Sequence, residues 1–351
     1  MEKIKVGVLG ATGTVGQRFI TLLEGHPYFE LVEVAASERS AGKTYEEAVA
    51  GRWKVSADIP AGVRKMKVSD VKPGLDCRIV FSAMDASVAG PAEEEFAAAG
   101  YYVFSNSRNH RYDDDVPILL PEINAEHIAI LEHQQKKRGW KGFIVTNSNC
   151  STMGLVIPLK PLLDNFGLEA VNVVTMQAIS GAGYPGVSAL DIIDNVIPYI
   201  GGEEPKMERE PLKMLGRVEA GTAFVDASFK ISAQCNRVFV LDGHLECTSV
   251  TLKKKPSQEQ FVSALANFRG RPQELKLPSA PEKPIIVRTE DDRPQPRFDR
   301  DHGKGMSVTV GRIRPCNIFH YKFLLLSHNT VRGAAGASIL NAEFLKAEGY
   351  F

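Results

Sequence analysis

The chain is sparing with cysteine. Cys77, Cys150, Cys235, Cys247 and Cys316 are spread through 351 residues, and no Cys-x-x-Cys occurs. An odd number of scattered thiols argues against a disulfide framework and a zinc knuckle, so no metal is expected and the cytoplasm is the expected setting. Long apolar runs are also missing; none approaches the roughly 18–20 residues that a membrane span requires. Neither sign of charge dominates, with 42 Lys+Arg against 42 Asp+Glu. That balance points to no nucleic acid and no acidic membrane as a partner. No secretory leader is expected, because the strand-like run at 4–9 (IKVGVL) opens the fold at once. Repeats and low-complexity segments are lacking as well.

Apolar residues make up 44% of the chain and charged residues 24%. At this length the composition predicts two soluble domains with ample core. Strand patterns at 4–9, 30–36, 79–82, 102–105 and 143–146 alternate with helix-compatible segments such as 16–23 and 89–99. This predicts an α/β, Rossmann-like, doubly wound parallel sheet. From about residue 167 the runs 169–178, 224–231, 237–241, 246–252 and 307–313 are β-rich and partly alternating, with helices at 155–163 and 258–267. They predict a second α+β domain built on a mixed or antiparallel sheet. Residues 288–300 (RTEDDRPQPRFDR) read as a solvated loop. A final helix is expected over 337–347.

The run Gly10-Ala11-Thr12-Gly13-Thr14-Val15-Gly16 follows the first strand and opens a helix. Glycines there permit a tight turn and let backbone N–H groups reach a pyrophosphate at a helix start. After the second strand, an acid ordinarily holds the ribose of NAD and an arginine takes the 2′-phosphate of NADP. Residues 36–40 (ASERS) offer both. Arg39 between Ser37 and Ser40 favours NADP, while Glu38 keeps NAD open.

Cys150 in Asn147-Ser148-Asn149-Cys150-Ser151 lies between a strand-like run and a helix-like one. The start of a helix favours thiolate, which can attack a carbonyl while nearby amides hold the oxyanion. The alternative is a buried structural cysteine. Downstream, residues 177–183 (QAISGAG) suit a close approach of backbone to ligand. Glu203 and Lys206, three apart, share a face if helical. They fit either a site or a surface ion pair. Arg237 is expected at the start of a strand and His244 just past its end. Arginine clamps carboxylates, and histidine serves as acid/base or as a satisfied structural residue. Residues 107–111 (SRNHR) offer a further cation or a solvated loop.

With these motifs in place, the chain resembles the aspartate-β-semialdehyde dehydrogenases, most closely their archaeal and fungal-type branch. The likeness spans nearly the whole chain: GATGTVGQ, NSNCST, QAISGAGYPG, GGEEPK, CNRVFVLDGHLE, GMSVTVGRIR and SHNTVRGAAGASILNAE. It implies an NADP-dependent oxidoreductase that converts β-aspartyl phosphate to aspartate semialdehyde through a cysteine thioester, toward lysine, threonine, methionine and isoleucine. It implies Cys150 as nucleophile, His244 as acid/base and Gln177 as orienter of the thioacyl group. Arg237 is implied to bind the substrate carboxylate, Glu203 its ammonium, and Lys206 and Arg111 the phosphate, with Asn149 lining the site. Gly10, Thr12, Gly13, Thr14, Val15, Ser37, Arg39, Ser40, Ser82, Gly183 and Asn329 are implied to contact the cofactor. A homodimer or homotetramer is implied, as is a discontinuous nucleotide domain (1–149 and 328–351) around a catalytic and dimerisation domain (150–327). Malonyl-CoA reductase is the nearest rival: it would use the same cysteine and histidine but needs no ammonium partner. N-acetylglutamyl-phosphate reductase would leave Glu203 idle. In a nucleotide-binding module without catalysis, Cys150 would be structural.

Overall fold

The computed structural model describes residues 2–351. Strands β1 (Ile4–Leu9), β2 (Phe29–Ala36), β3 (Val68–Asp70), β4 (Ile79–Ser82), β5 (Tyr102–Ser105) and β6 (Phe143–Thr146) form a parallel sheet in the order β3-β2-β1-β4-β5-β6. The order reverses between β1 and β4, and the crevice beyond that point is where such sheets take ligands. The short β3 is an addition to the five strands expected. Both faces of the sheet are covered at its centre, where β4, β5 and β6 are buried along their whole length. Phe19, Phe29, Phe81, Phe104 and Phe143 pack on one side; Val80, Val103, Ile144 and Phe96 pack on the other.

The α-helices longer than one turn are α1 (Thr14–Leu23), α2 (Ala86–Ala98), α3 (Leu131–Arg138), α4 (Cys150–Phe166), α5 (Glu203–Met214), α6 (Gln258–Ala266) and α7 (Gly336–Ala347) among the described residues. Each expected helix is present with shifted ends. The α4 helix starts five residues before the expected 155, because Asn149 caps it: its Oδ1 accepts from the N–H groups of Ser151 (2.9 Å) and Thr152 (3.1 Å). A π-helical turn, Val331–Ala335, runs directly into α7. Phe344 and Leu345 of α7 lie in the first sheet's core beside Val6 and Phe143.

A second sheet contains β7 (Leu168–Gln177), β10 (Lys230–Arg237), β11 (His244–Leu252), β12 (Ile285–Val287), β13 (Val308–Pro315) and β14 (Tyr321–Ser327). Its order is β10-β7-β11-β14-β13-β12; the β10/β7 and β12/β13 pairs are parallel and the rest antiparallel. A hairpin of β8 (Arg217–Glu219) and β9 (Ala223–Val225) stands apart. The run expected as one strand over 224–231 is therefore split between β9 and β10.

The expected strand over 237–241 is also corrected. Arg237 ends β10 and His244 begins β11, while 238–243 crosses the end of β7. Ile179 donates to the Val240 carbonyl (2.8 Å), and Gly243 turns with φ +101°. Three neighbouring strands thus present Gln177, Arg237 and His244 along one sheet edge. Residues 288–300 carry a short helix, Pro296–Asp299, and Asp299 is buried against Arg293, so this loop is less solvated than its composition suggests.

Candidate active site

The chain runs from the end of β6 straight into α4, which places Cys150 between the two sheets as the first residue of the helix. Cys150 Sγ lies 3.1 Å from His244 Nε2. The Ala178 N–H donates to the other ring nitrogen, Nδ1, at 3.0 Å. Since Nδ1 accepts, the neutral ring carries its proton on Nε2, facing the sulfur. Gly181 lets the loop close over this pair; a Cβ there would stand 3.1 Å from Arg237 Nη1 and 3.3 Å from His244 Cε1.

Electrostatics corrects one expectation. The helix start was expected to favour thiolate, but burial and the nearby Glu203 push the Cys150 thiol up to about 12, against the pull of Arg237, Arg111 and Lys206. Burial, with Arg237 and His328 adding to it, pushes His244 down to about 3. In the substrate-free pocket the pair is a thiol beside a neutral imidazole.

Arg237 donates through Nη1 to the Ala178 carbonyl at 2.7 Å. Glu203 is buried, bonded to Lys206 Nζ (3.0 Å) and to the Asn149 amide, so the two are more than a surface pair. Arg111 is buried too. It pairs with Glu210 Oε1 (2.9 Å) and donates to the Asn106 carbonyl (3.0 Å), while its Nε has no protein partner. Glu210 was missed in the sequence. Its second oxygen accepts the Asn149 N–H at 2.6 Å, tying the cap of the Cys150 helix to Arg111. Its signal was there, seven residues after Glu203 on the same helical face.

Cys150, Gln177, Arg237, Glu203, Lys206, Arg111 and Asn149 line one cavity of about 780 Å³, with Thr14, Val15, Gly183 and Asn329 at its nucleotide side. Asn329 bridges two loops there, donating to Ser180 Oγ (2.8 Å) and accepting from Gly243 N–H (2.9 Å).

A second cavity of about 600 Å³ continues over the sheet edge, lined by Gly10, Thr12, Gly13, Ser37, Glu38, Arg39, Asp70 and Lys72. Gly10 has φ +72°, and a Cβ there would meet the Ala83 carbonyl oxygen at 2.7 Å, so the turn requires glycine. Gly13 caps α1 with no side chain, leaving the helix's first N–H groups free for a pyrophosphate. The residues present therefore fit a dinucleotide. Lys72 was not foreseen, since it lies beyond the unexpected β3. Two expected contacts fall outside both cavities. Ser82 is buried and donates to Glu93 Oε1 (2.5 Å). Ser40 is buried in a turn whose N–H bonds to the Ser37 carbonyl (2.8 Å).

The doubly wound sheet, the dinucleotide groove and the buried Cys–His pair beside it define a nucleotide-dependent oxidoreductase. Residues 5–131 match the family model for the semialdehyde dehydrogenase NAD binding domain, and residues 159–332 match the semialdehyde dehydrogenase dimerisation domain. Aspartate-semialdehyde dehydrogenase of Archaeoglobus fulgidus is 52% identical over 347 residues, 99% of either chain. That of Schizosaccharomyces pombe is 50% identical over 353 residues, 98% of either. A crystal structure of aspartate semialdehyde dehydrogenase with NADP from Candida albicans superposes with a TM-score of 0.92 at 47% identity, covering all of both chains. The chain belongs to the aspartate-semialdehyde dehydrogenase family.

Proposed function

We propose that this protein interconverts β-aspartyl phosphate and aspartate semialdehyde with NADPH. The observation that carries the proposal is the contact of Cys150 with the buried His244, where Cys150 lines a cavity together with Arg237, Glu203, Lys206 and Arg111. The substrate bears a carboxylate, an ammonium and a phosphate. Arg237 answers the first, Glu203 the second, and Lys206 with Arg111 the third. Full-length relatives bearing the semialdehyde dehydrogenase name support this reading over malonyl-CoA reductase.

Cys150 Sγ forms a bond to the acyl carbon as the carbon–oxygen bond to phosphate breaks, and the thiol proton leaves with the phosphate. When bound, NADPH supplies hydride to that carbon. The oxygen then re-forms its double bond, the carbon–sulfur bond breaks, and the aldehyde departs; the sulfur regains a proton from solvent. No step requires His244 to become imidazolium. Held by the Ala178 N–H, it serves as a fixed Nε2–H donor to the sulfur and to the charged oxygen. Gln177 lines the wall where the acyl group would lie.

NADP use is supported by Arg39 and Lys72 in the adenosine cavity, set against Glu38 and Asp70. Among the described residues no helix is long and apolar enough to cross a membrane. The five free thiols fit the cytoplasm. Residues 1–149 with 328–351 form the nucleotide domain in this reading, since α7 shares its core. Leu190, Ile193, Val196, Tyr199, Phe239 and Leu241 expose large apolar side chains, and we infer that a second copy covers them.

The test is reduction of NADP, and separately NAD, by aspartate semialdehyde with and without phosphate, followed by nicotinamide absorbance. Phosphate-dependent reduction with NADP favoured is expected. Turnover indifferent to phosphate would overturn the acyl-phosphate assignment.

A further inference from the structure

Lys213 lies in the last turn of α5 and is buried. Its ammonium donates to three main-chain carbonyls, those of Arg111 (2.9 Å), Asp113 (2.7 Å) and Val116 (2.8 Å). All three protons of the group are used. The segment 106–116 that receives them has no helix or strand of its own. It is also the segment that carries Arg111. The same helix holds Arg111 a second way, through Glu210 three residues earlier.

We propose that Lys213 is a positioning residue for phosphate recognition, clamping 111–116 so that Arg111 stands at the phosphate end of the cavity. This rests on the reading of Arg111 as a phosphate ligand. The end of a helix and a loop are thereby made into one rigid wall. Lysine suits the task because three carbonyls converge on a single point charge with three donors.

The groups facing the ammonium are Asp113, Asp114 and Asp115 from the loop, Asp226 beyond β9, the Arg111 backbone, and the Phe224 ring at 4.4 Å; His127 lies behind that ring. Burial pushes Lys213 down to about 8 against the pull of these carboxylates. A neutral amine has two donors and would turn a lone pair on the third carbonyl, so the clamp is complete below about pH 8 and weakens above it.

The test uses the whole protein in the phosphate-dependent oxidation of aspartate semialdehyde. Lys213→Met is expected to raise KM for inorganic phosphate roughly tenfold, with KM for NADP and for the aldehyde little changed. An equal rise in all three, or none, overturns the proposal. Should that variant fail to fold, the wild-type protein decides: KM for phosphate rises above about pH 8 while KM for NADP stays flat. A flat phosphate KM through that range overturns it. Arg111→Ala separates the two levels. If that change leaves phosphate KM unaltered, the reading of Arg111 has failed; if it raises phosphate KM and Lys213→Met does not, only the clamp has.

Discussion

Replacing Gly333 by alanine tests how tightly Cys150 is held. Gly333 sits in the π-helical turn before α7 and faces Cys150 directly. An added Cβ would lie 2.7 Å from Cys150 Cβ, 3.0 Å from its Cα and 3.1 Å from its carbonyl oxygen. The first contact falls short of ordinary van der Waals separation by about 0.7 Å, and the atoms it meets belong to the start of a capped helix rather than to a pliant side-chain tip. The φ of Gly333 is not in the left-handed region, so the effect is steric alone. Overpacking of this kind costs about 1–3 kcal/mol of stability. A shift of several tenths of an ångström at the sulfur should lower kcat by roughly ten- to hundredfold, while nucleotide affinity stays near wild type. Single-turnover kinetics for the chemistry and fluorescence titration for the nucleotide read the two separately. A Gly333→Ala enzyme with kcat within about twofold of wild type would mean that the Cys150 position is not set by this contact.

Other outcomes follow from the same geometry. Because burial holds Cys150 as a thiol, iodoacetamide should label it slowly at neutral pH in the substrate-free protein, the rate climbing about tenfold per pH unit to beyond pH 10. A plateau near the ordinary thiol value would refute the raised pKa. Arg237→Lys should raise KM for aspartate semialdehyde roughly ten- to hundredfold, because a point charge cannot replace the fork; unchanged KM removes Arg237 from carboxylate binding. Glu122 and Arg332 form an ion pair with neither side chain exposed. Glu122→Ala leaves that arginine buried and unpaired, and chemical denaturation should report a loss of about 3–5 kcal/mol; a loss below about 1 kcal/mol would show that the pair is dispensable.

Much of the fold could be read from local pattern. β4, β5 and β6 are buried on both faces, so each is a short, mostly apolar run between turn residues, and the glycine loop follows β1. Cys150 declared itself by standing between strand and helix. The stretch after Arg237 misled because Val238, Phe239, Val240 and Leu241 have strand composition, yet Phe239 and Leu241 are exposed and 238–243 crosses over β7. Composition reports what a side chain prefers, not which neighbour meets it. Thiol ionisation failed for a related reason. The helix start is visible in sequence, whereas the burial that outweighs it depends on both sheets closing around the sulfur. Glu210 and Lys213 looked like surface charges on a polar helix. They are buried because the 106–116 segment folds across them, a contact nearly a hundred residues distant. Family resemblance implies Ser82 as a cofactor contact, but its hydroxyl is held by the buried Glu93 on α2.

The placement of α7 bears on how the molecule is made. Asn147, just before the nucleophile, bonds to Ser338 (2.8 Å) and Asn341 (3.0 Å), and Phe344 fills the core under the first sheet. The first sheet is thus completed by a helix 191 residues further along the chain from Asn147. A ribosome that stalls before residue 336 releases a nascent chain whose sheet lacks its cover and whose loop before Cys150 lacks its anchors. Assembly of the site is thereby tied to synthesis of α7, and products cut short of it carry exposed apolar surface open to chaperones and proteases.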